Sequence, residues 1–398
     1  MKLYFRLSIM RERPLLEEHM DKYSGLCIES HILEIFKNSI SQFIQAHKIP
    51  FFIDPVFYKF IKINSLEALE EKRWYIPLVD HYGLDPEIKD AVLLDETIFT
   101  ETFIQKVVNK ILNYQKCRVM DLSASSLLSL LGESCKLIPL FLIAPYILIN
   151  NKRTLLINKE LIASSINWAV KENIDLPLFA VIMLDKGLLF PQQVDKIIEH
   201  LSDLNDKPLK GYFIWVTDFK ESEEDDNNLR AFKYLIEILR GQNKEVYNLY
   251  GGYFSLLLAK KGILDGVVSG IGLGEARDPF AEPGVVLPRY YSPVLKRMLS
   301  ITMADALLAY DRSIFKCECP VCSNSNDIAS LKTMDLTKHF IESRLQEYQN
   351  IQNFSLQDLK DELSRTVDLM KQKSTDPILK AIGINGKYEH LERWYKLI

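Results

Sequence analysis

The sequence predicts an α/β fold, a (β/α)8 TIM-type barrel followed by a C-terminal helical module built around a cysteine cluster. From residue 138 to residue 272, short apolar runs alternate with amphipathic stretches without a break. Such alternation is typical of parallel strands joined by crossover helices. Counting the candidates before residue 138 gives about eight strands, the number that a barrel of roughly 250 residues needs. A doubly wound open sheet is the competing architecture.

Each predicted element rests on the period of its apolar residues. The predicted strands are 2–8, 49–54, 118–120, 138–147, 177–184, 211–217, 246–250 and 265–272. The predicted helices are 31–47, 102–115, 124–131, 159–172, 191–203, 229–241, 252–262 and 292–312, with a charged helical tail after them. A charged, irregular segment covers 62–98, and the pattern over 117–136 fits more than one assignment. We assign residues 1–300 to the barrel domain and 301–398 to the C-terminal module.

Composition and cysteine usage narrow the class of protein. The net charge is −4 and 47% of the residues are hydrophobic, so a nucleic acid would contact a local basic patch rather than a basic overall surface. Cys27, Cys117 and Cys135 are scattered singly, which argues against a disulfide framework and indicates a reducing compartment. The longest apolar stretch, 137–149, is too short to cross a bilayer. We expect a soluble, cytoplasmic protein without a membrane segment.

Three cysteines lie within six residues of one another: Cys317, Cys319 and Cys322. Zinc in structural sites takes four tetrahedral sulfur or nitrogen ligands, so this spacing predicts a structural Zn²⁺ site that pins the C-terminal helices to the barrel. His339, 17 residues after the last cysteine, is the expected fourth ligand. His390 or an acidic side chain is the alternative ligand, and three free buried cysteines are the interpretation without a metal.

Four segments resemble the tRNA-guanine transglycosylase superfamily. FFIDPVFYKF (51–60) resembles its strand ending in an aspartate, and ASSINWAVKENIDLPLFAVI (163–182) resembles its helix with a central tryptophan. LYGGYFSLLLAKKGILDGVVSGIG (249–272) resembles its late barrel segment, and KCECPVCS (316–323) resembles its zinc signature. The resemblance covers about residues 49–350. The sequence departs from the tRNA enzymes of this superfamily at several points, such as Pro-Val-Phe in place of Ser-Gly-Gly after the first aspartate. In these departures it is more similar to the divergent branch that inserts 7-deazaguanine bases into DNA.

The resemblance implies an enzyme, a glycosyltransferase that exchanges guanine in DNA or tRNA for a 7-deazaguanine base. Carried over, it makes Asp265 the nucleophile and Asp54 the general acid/base. Two displacements through a covalent sugar–carboxylate intermediate retain the sugar configuration. Both aspartates are then expected at the C-terminal ends of barrel strands, where such sites lie. Without the resemblance, Asp54 caps a turn and Asp265 starts a strand.

The remaining substrate-binding candidates lie after predicted barrel strands: Asp185, Asp218, Gly251, Gly252, Arg277 and Arg289. The aspartates could face the pocket or cap helices. The arginines belong to a basic segment with interleaved tyrosines, which fits phosphate contacts and base stacking or a solvated loop. The competing function is a catalytically inactive barrel that binds nucleic acid or a partner subunit. A homodimer and the subunits of a modification system are the protein partners that this interpretation allows.

Overall fold

The computed structural model describes residues 1–61, 72–85, 94–124, 137–204, 208–279, 287–325 and 327–398. Its central sheet consists of eight strands: β1 (Lys2–Leu7), β2 (Gly25–Glu29), β3 (Phe51–Asp54), β4 (Leu142–Ile143), β5 (Leu178–Leu184), β6 (Gly211–Val216), β7 (Glu245–Asn248) and β8 (Gly266–Ser269). All eight are parallel, in the order β3-β2-β1-β8-β7-β6-β5-β4. At the seam the Leu140 N–H donates to the Phe51 carbonyl over 2.7 Å. The sheet is therefore a nearly closed barrel, and the predicted TIM-type fold is confirmed.

The described α-helices lie between and after these strands. They are α1 (Arg13–Glu17), α2 (Ser30–Ile35), α3 (Lys37–His47), α4 (Tyr75–Tyr82), α5 (Glu101–Ala124), α6 (Lys152–Lys171), α7 (Pro191–Leu201), α8 (Asp226–Gly241), α9 (Tyr253–Lys260), α10 (Ile301–Tyr310), α11 (Arg312–Phe315), α12 (Pro320–Ser323), α13 (Thr333–Asn353), α14 (Leu356–Lys373), α15 (Pro377–Ile382) and α16 (Glu389–Leu397). Among the described residues, no helix combines the length and the apolarity that crossing a bilayer requires.

Aromatic rings fill the inside of the barrel. The ring centres of Phe52 and Phe141 are 4.5 Å apart, and those of Phe141 and Phe179 are 4.7 Å apart. Phe213 and Tyr247 stack at 5.1 Å. Aromatic pairs at these distances are stabilising beyond the area that they bury. The inside of the barrel is therefore a packed core.

Two predicted elements were wrong, and one barrel strand was missed. Strand β2 was not predicted, whereas the strand predicted at 118–120 is part of the long helix α5. The helix predicted over 292–312 begins only at Ile301, because a hairpin of β9 (Arg289–Ser292) and β10 (Arg297–Ser300) precedes it. The helix predicted over 124–131 lies outside the described residues after Ala124, as do parts of the irregular segment predicted over 62–98.

The C-terminal helices pack on this hairpin and on a barrel loop. His390 on α16 is buried, and its Nε2–H donates to the Leu295 carbonyl at 2.8 Å. The Trp394 indole N–H donates to the Glu221 carbonyl at 3.3 Å. Burial, helped by Arg297, lowers the pKa of His390 to about 3. The contact between α16 and the hairpin therefore depends on a neutral imidazole.

We expect acid to weaken this contact. Because the pKa of His390 lies below its ordinary value near 6.5, its contribution is complete above that pH and is lost as the pH falls towards 3, by about 1.4 kcal/mol per pH unit. In His390→Gln the amide can still donate to Leu295 but cannot titrate. Urea unfolding at pH 7 and pH 5 should show a larger loss of stability for the native chain than for the variant. Equal losses would contradict this origin of the acid sensitivity.

Candidate functional site

A cluster of charged side chains lies at the C-terminal end of three neighbouring barrel strands. Arg6 is on β1, Glu29 ends β2 and Asp54 ends β3. The register pairs Glu29 with Asp54, one residue beyond the pair formed by Leu7 and Ile28. Because the strands are parallel, all three side chains reach the same end of the barrel. This is the end at which TIM barrels carry their active sites.

One nitrogen of Arg6 joins the two carboxylates. Its Nη1 donates to Glu29 Oε1 at 2.8 Å and to Asp54 Oδ2 at 2.9 Å. The three side chains are at most 1% exposed. Two oxygens that bond one nitrogen at these lengths lie within about 6 Å of each other, close to the ~5–5.5 Å at which retaining glycosidases hold their carboxylates. The two carboxylates therefore lie close enough together to act on one ligand.

Arg277, Tyr250 and His31 contact Glu29 on its other sides. Arg277 Nη1 donates to Oε1, and the Tyr250 hydroxyl donates to the same oxygen at 3.2 Å. His31 Nε2 lies 3.2 Å from Oε2. Burial alone would raise the pKa of Glu29, but Arg277, His31, Lys59 and Arg6 together hold that pKa well below its ordinary value. Glu29 is therefore an anion at neutral pH.

The amine of Lys59 also belongs to this network, and its pKa lies near neutrality. Its Nζ lies 3.2 Å from Nδ1 of His31 and 5.5 Å from the centre of the Trp74 ring. Burial and the neighbouring charge of Arg277 together lower the pKa of Lys59 to about 7. Burial also holds the pKa of His31 well below its ordinary value, so that the imidazole is neutral. A proton on Lys59 can thus be gained or lost within the physiological range.

Asp54 is fixed by a strained turn. Its Oδ1 accepts from the Tyr146 hydroxyl at 2.8 Å and from the Val56 N–H at 3.1 Å. Val56 has φ of 45°, a left-handed conformation that is costly for a β-branched residue. The Ser30 hydroxyl holds the turn by donating to the Pro55 carbonyl at 2.9 Å. Strain of this kind persists only where its surroundings enforce it, and it is common at functional sites.

Four aromatic rings cover the carboxylates. The ring centre of Tyr58 lies 5.0 Å from that of Trp215 and 5.7 Å from that of Tyr146. The ring centres of Trp215 and Tyr250 are 4.7 Å apart. The guanidinium of Arg6 lies 4.2 Å from the centre of the Tyr250 ring. Flat apolar faces next to charged hydrogen-bonding groups suit a planar heterocycle, which stacks on the faces and bonds through its edge.

The expectation that Asp265 faces Asp54 is wrong. Asp265 precedes β8, and its carbonyl accepts from the Lys2 N–H at the start of β1. The length of β1 separates this level from Asp54, roughly 20 Å at a rise of about 3.3 Å per residue. The Asp265 carboxylate instead accepts from Arg240 and from the Val246 N–H, each at 2.8 Å. It therefore fastens the N-terminal end of the barrel.

Of the other predicted residues, Arg277 joins the charged cluster and the two aspartates do not. The Arg277 carbonyl accepts from the Asp218 N–H at 3.2 Å, but the Asp218 carboxylate turns to the lysines Lys186 and Lys220, at 3.6 and 3.5 Å. Asp185 accepts from the Gly187 N–H at 2.7 Å and caps a short helical turn. The capping interpretation therefore holds for Asp185.

The two glycines form a turn whose amides are used internally. Gly252 N–H donates to Glu221 Oε1 at 3.0 Å, and Gly251 N–H donates to the Val268 carbonyl at 3.1 Å. A Cβ on Gly251 would lie 2.5 Å from a Val267 methyl, so the turn requires glycine. The carboxylate of Glu221 occupies the N-terminus of α9, and neither amide is available to a substrate.

Arg289 lies beside a separate cavity of about 200 Å³. It is the exposed member of the predicted basic segment. Lys296 is buried and bonds Glu362 at 3.2 Å, and Arg297 bonds Glu223 at 3.6 Å. Lys296 and Arg297 are therefore neutralised inside the protein, whereas Arg289 is exposed.

The predicted metal ligands converge as a second site. One ligand atom from each of Cys317, Cys319, Cys322 and His339 lies within 4.8 Å of all the others. Nδ1 of His339 is 3.3 Å from the Cys319 sulfur and 3.4 Å from the Cys322 sulfur. Metal–ligand bonds of 2.0–2.3 Å at tetrahedral angles separate ligand atoms by about 3.5 Å. The Cys3His group could therefore hold a metal ion.

The surroundings of His339 fix the ring for ligation. Its Nε2 lies 2.7 Å from the Tyr291 carbonyl, which can only accept, so Nε2 carries the proton and Nδ1 keeps its lone pair. The Tyr290 ring stacks on the imidazole at 4.3 Å. His390, the alternative ligand, contacts Leu295 instead. The structure therefore assigns the fourth position to His339.

Sequence reasoning missed Arg6, Glu29, Tyr58 and Tyr146. The available signal was a charged residue inside or directly after an apolar run, as in KLYFRL and GLCIE. Such a residue must be paired when it is buried. The pairing itself joins segments that are far apart in the chain, and no local pattern reveals it.

A scan against protein-family profiles matches no family, and a search of curated proteins finds no significant relative.

We expect Arg6→Met to lower the free energy of unfolding by about 3–5 kcal/mol, because it leaves two carboxylates buried without their shared cation. Arg277→Met is the matched control, since Glu29 keeps Arg6 and Asp54 is unaffected. Urea unfolding at pH 7 measures both. An equally small loss for both variants would show that Arg6 is not the central pairing group.

Proposed function

We propose that this chain is a glycosyltransferase that exchanges guanine in a polynucleotide, DNA in preference to tRNA, for a 7-deazaguanine base. The observation that carries the proposal is the pair of carboxylates, Glu29 and Asp54, bonded to one nitrogen of Arg6 at the C-terminal end of the barrel. The resemblance of the sequence to the guanine transglycosylases supports the choice of substrate.

Glu29 takes the role of nucleophile that the resemblance gave to Asp265. Its oxygen bonds to the anomeric carbon of the sugar as the bond to the guanine nitrogen breaks. The incoming base then attacks that carbon from the face that guanine left, opposite Glu29, and the bond to Glu29 breaks. The proton that guanine gains balances the proton that the incoming base loses, and Asp54 shuttles it. Arg6, which donates to both carboxylates, holds them in position for the two steps.

The second candidate function is binding without exchange. The observation that favours it is that Arg6, Arg277 and Tyr250 already satisfy Glu29. A buried ion-pair network of this kind can serve to specify the fold rather than to react. In that case the aromatic rings and Arg289 would hold a nucleic acid, and no covalent intermediate would form.

We propose zinc as the ion of the Cys3His site, because three thiolates and one imidazole are typical of structural zinc and leave no open position for a reacting group. Zinc bound there supplies folding free energy and takes no part in the exchange.

We expect the native chain to incorporate a labelled 7-deazaguanine base into DNA, with tRNA assayed in parallel. Glu29→Gln should abolish incorporation, since an amide is not an anionic nucleophile. Asp54→Asn should slow it by about 10²- to 10⁴-fold through loss of proton transfer. Asp265→Asn is the matched control and should keep the native rate.

Two outcomes of this assay would contradict the proposal. Native incorporation by Glu29→Gln would remove Glu29 as the nucleophile. A native chain that binds DNA or tRNA without incorporation would favour the second candidate function.

We also expect about one zinc ion per chain in protein purified under reducing conditions, measured by elemental analysis. Cys319→Ser should lose the ion and lower the melting temperature, whereas Cys117→Ser, a change of a cysteine on α5, should do neither. Metal-free native protein, or a different bound metal, would overturn the assignment.

A further inference from the structure

The second edge of Arg6 has no partner. Nη1 bonds Glu29 and Asp54, but Nε and Nη2 are buried and contact no acceptor among the described residues. These two nitrogens form the side of the guanidinium that binds two adjacent acceptors at once. The side chain is 1% exposed, and buried charged donors are normally paired. This edge therefore points to a ligand with two acceptors.

A hydroxyl in the same cluster also lacks a partner. The Tyr58 OH is buried and bonds no described residue. Its ring packs against Trp215 and Tyr146, and the Tyr146 hydroxyl bonds Asp54. The free hydroxyl and the free guanidinium edge thus accompany the same pair of carboxylates. Two independent unsatisfied groups at one site are more than a single packing defect.

We infer that Arg6 and Tyr58 determine which base enters the site. The Nε–Nη2 edge donates to two adjacent acceptors on the rim of a planar heterocycle, and the Tyr58 hydroxyl bonds a further polar atom of the same ligand. This inference rests on the proposed function only in taking the ligand to be a nucleobase.

The acceptor pattern makes the specificity definite. Guanine presents O6 and N7 side by side, which matches an arginine edge. Adenine places an amino donor beside N7 and would set donor against donor. A 7-deazaguanine keeps O6 and lacks N7, so its affinity should lie between those of guanine and adenine. The Arg6 edge then favours the base that leaves over the base that enters.

Equilibrium binding of free guanine, 7-deazaguanine and adenine tests this without any turnover, followed by tryptophan fluorescence or calorimetry. The native chain should bind them in that order of affinity. Tyr58→Phe should weaken guanine binding about tenfold without lowering the melting temperature, because the lost hydroxyl bonds none of the described residues. Tyr212→Phe removes another buried hydroxyl, at the start of β6, that also has no partner in the described part of the chain, and it should change neither quantity.

Arg6→Lys keeps the charge between Glu29 and Asp54 but removes the two-donor edge. It should erase the preference for guanine over adenine. If this variant does not fold, Tyr58→Phe carries the test alone.

Equal native affinity for guanine and adenine, absence of binding by all three bases, or unchanged guanine affinity in Tyr58→Phe would overturn the inference. The expected binding pattern without base exchange would instead reject the proposed function and leave the inference standing.

Discussion

The structure at the barrel mouth depends on one buried cation. Arg6 lies on the first strand and bonds the residues that end the second and third strands, so three neighbouring strands share one ion-pair network. An arginine side chain stays charged at any pH at which a protein folds. Every other group in the cluster must adapt to that fixed charge. Arg6 and Arg277 together keep Glu29 ionised, and burial and Arg277 lower the pKa of Lys59 to about 7.

The sequence was sufficient for the fold because each barrel strand after residue 138 is an apolar run between helical stretches. The sequence did not reveal β2, because its five residues follow irregular turns. It suggested a strand at Arg118 to Met120, where the apolar residues in fact continue a helix. The cysteine cluster was predictable because three ligands lie within one turn of chain. His339 was harder, since only tertiary packing distinguishes it from His390.

The error over Asp265 has a simple geometric cause. In a parallel barrel, the residue before a strand and the residue at its end lie at opposite faces. Asp54 is the last residue of β3 and lies at the mouth, whereas Asp265 precedes β8 and lies at the base. Resemblance in a short segment conveys the residue type but not the register, and one strand length decides whether a carboxylate can react.

The aromatic plug inside the barrel limits the form in which a polynucleotide could present itself. Phe52, Phe141 and Phe213 pack against one another inside the barrel, so they block a channel through it. Neither a duplex nor a continuous strand could pass through it. A base could reach Glu29 only after rotating out of its stack. The free-energy cost of that rotation would be smallest for a single-stranded or unpaired nucleotide.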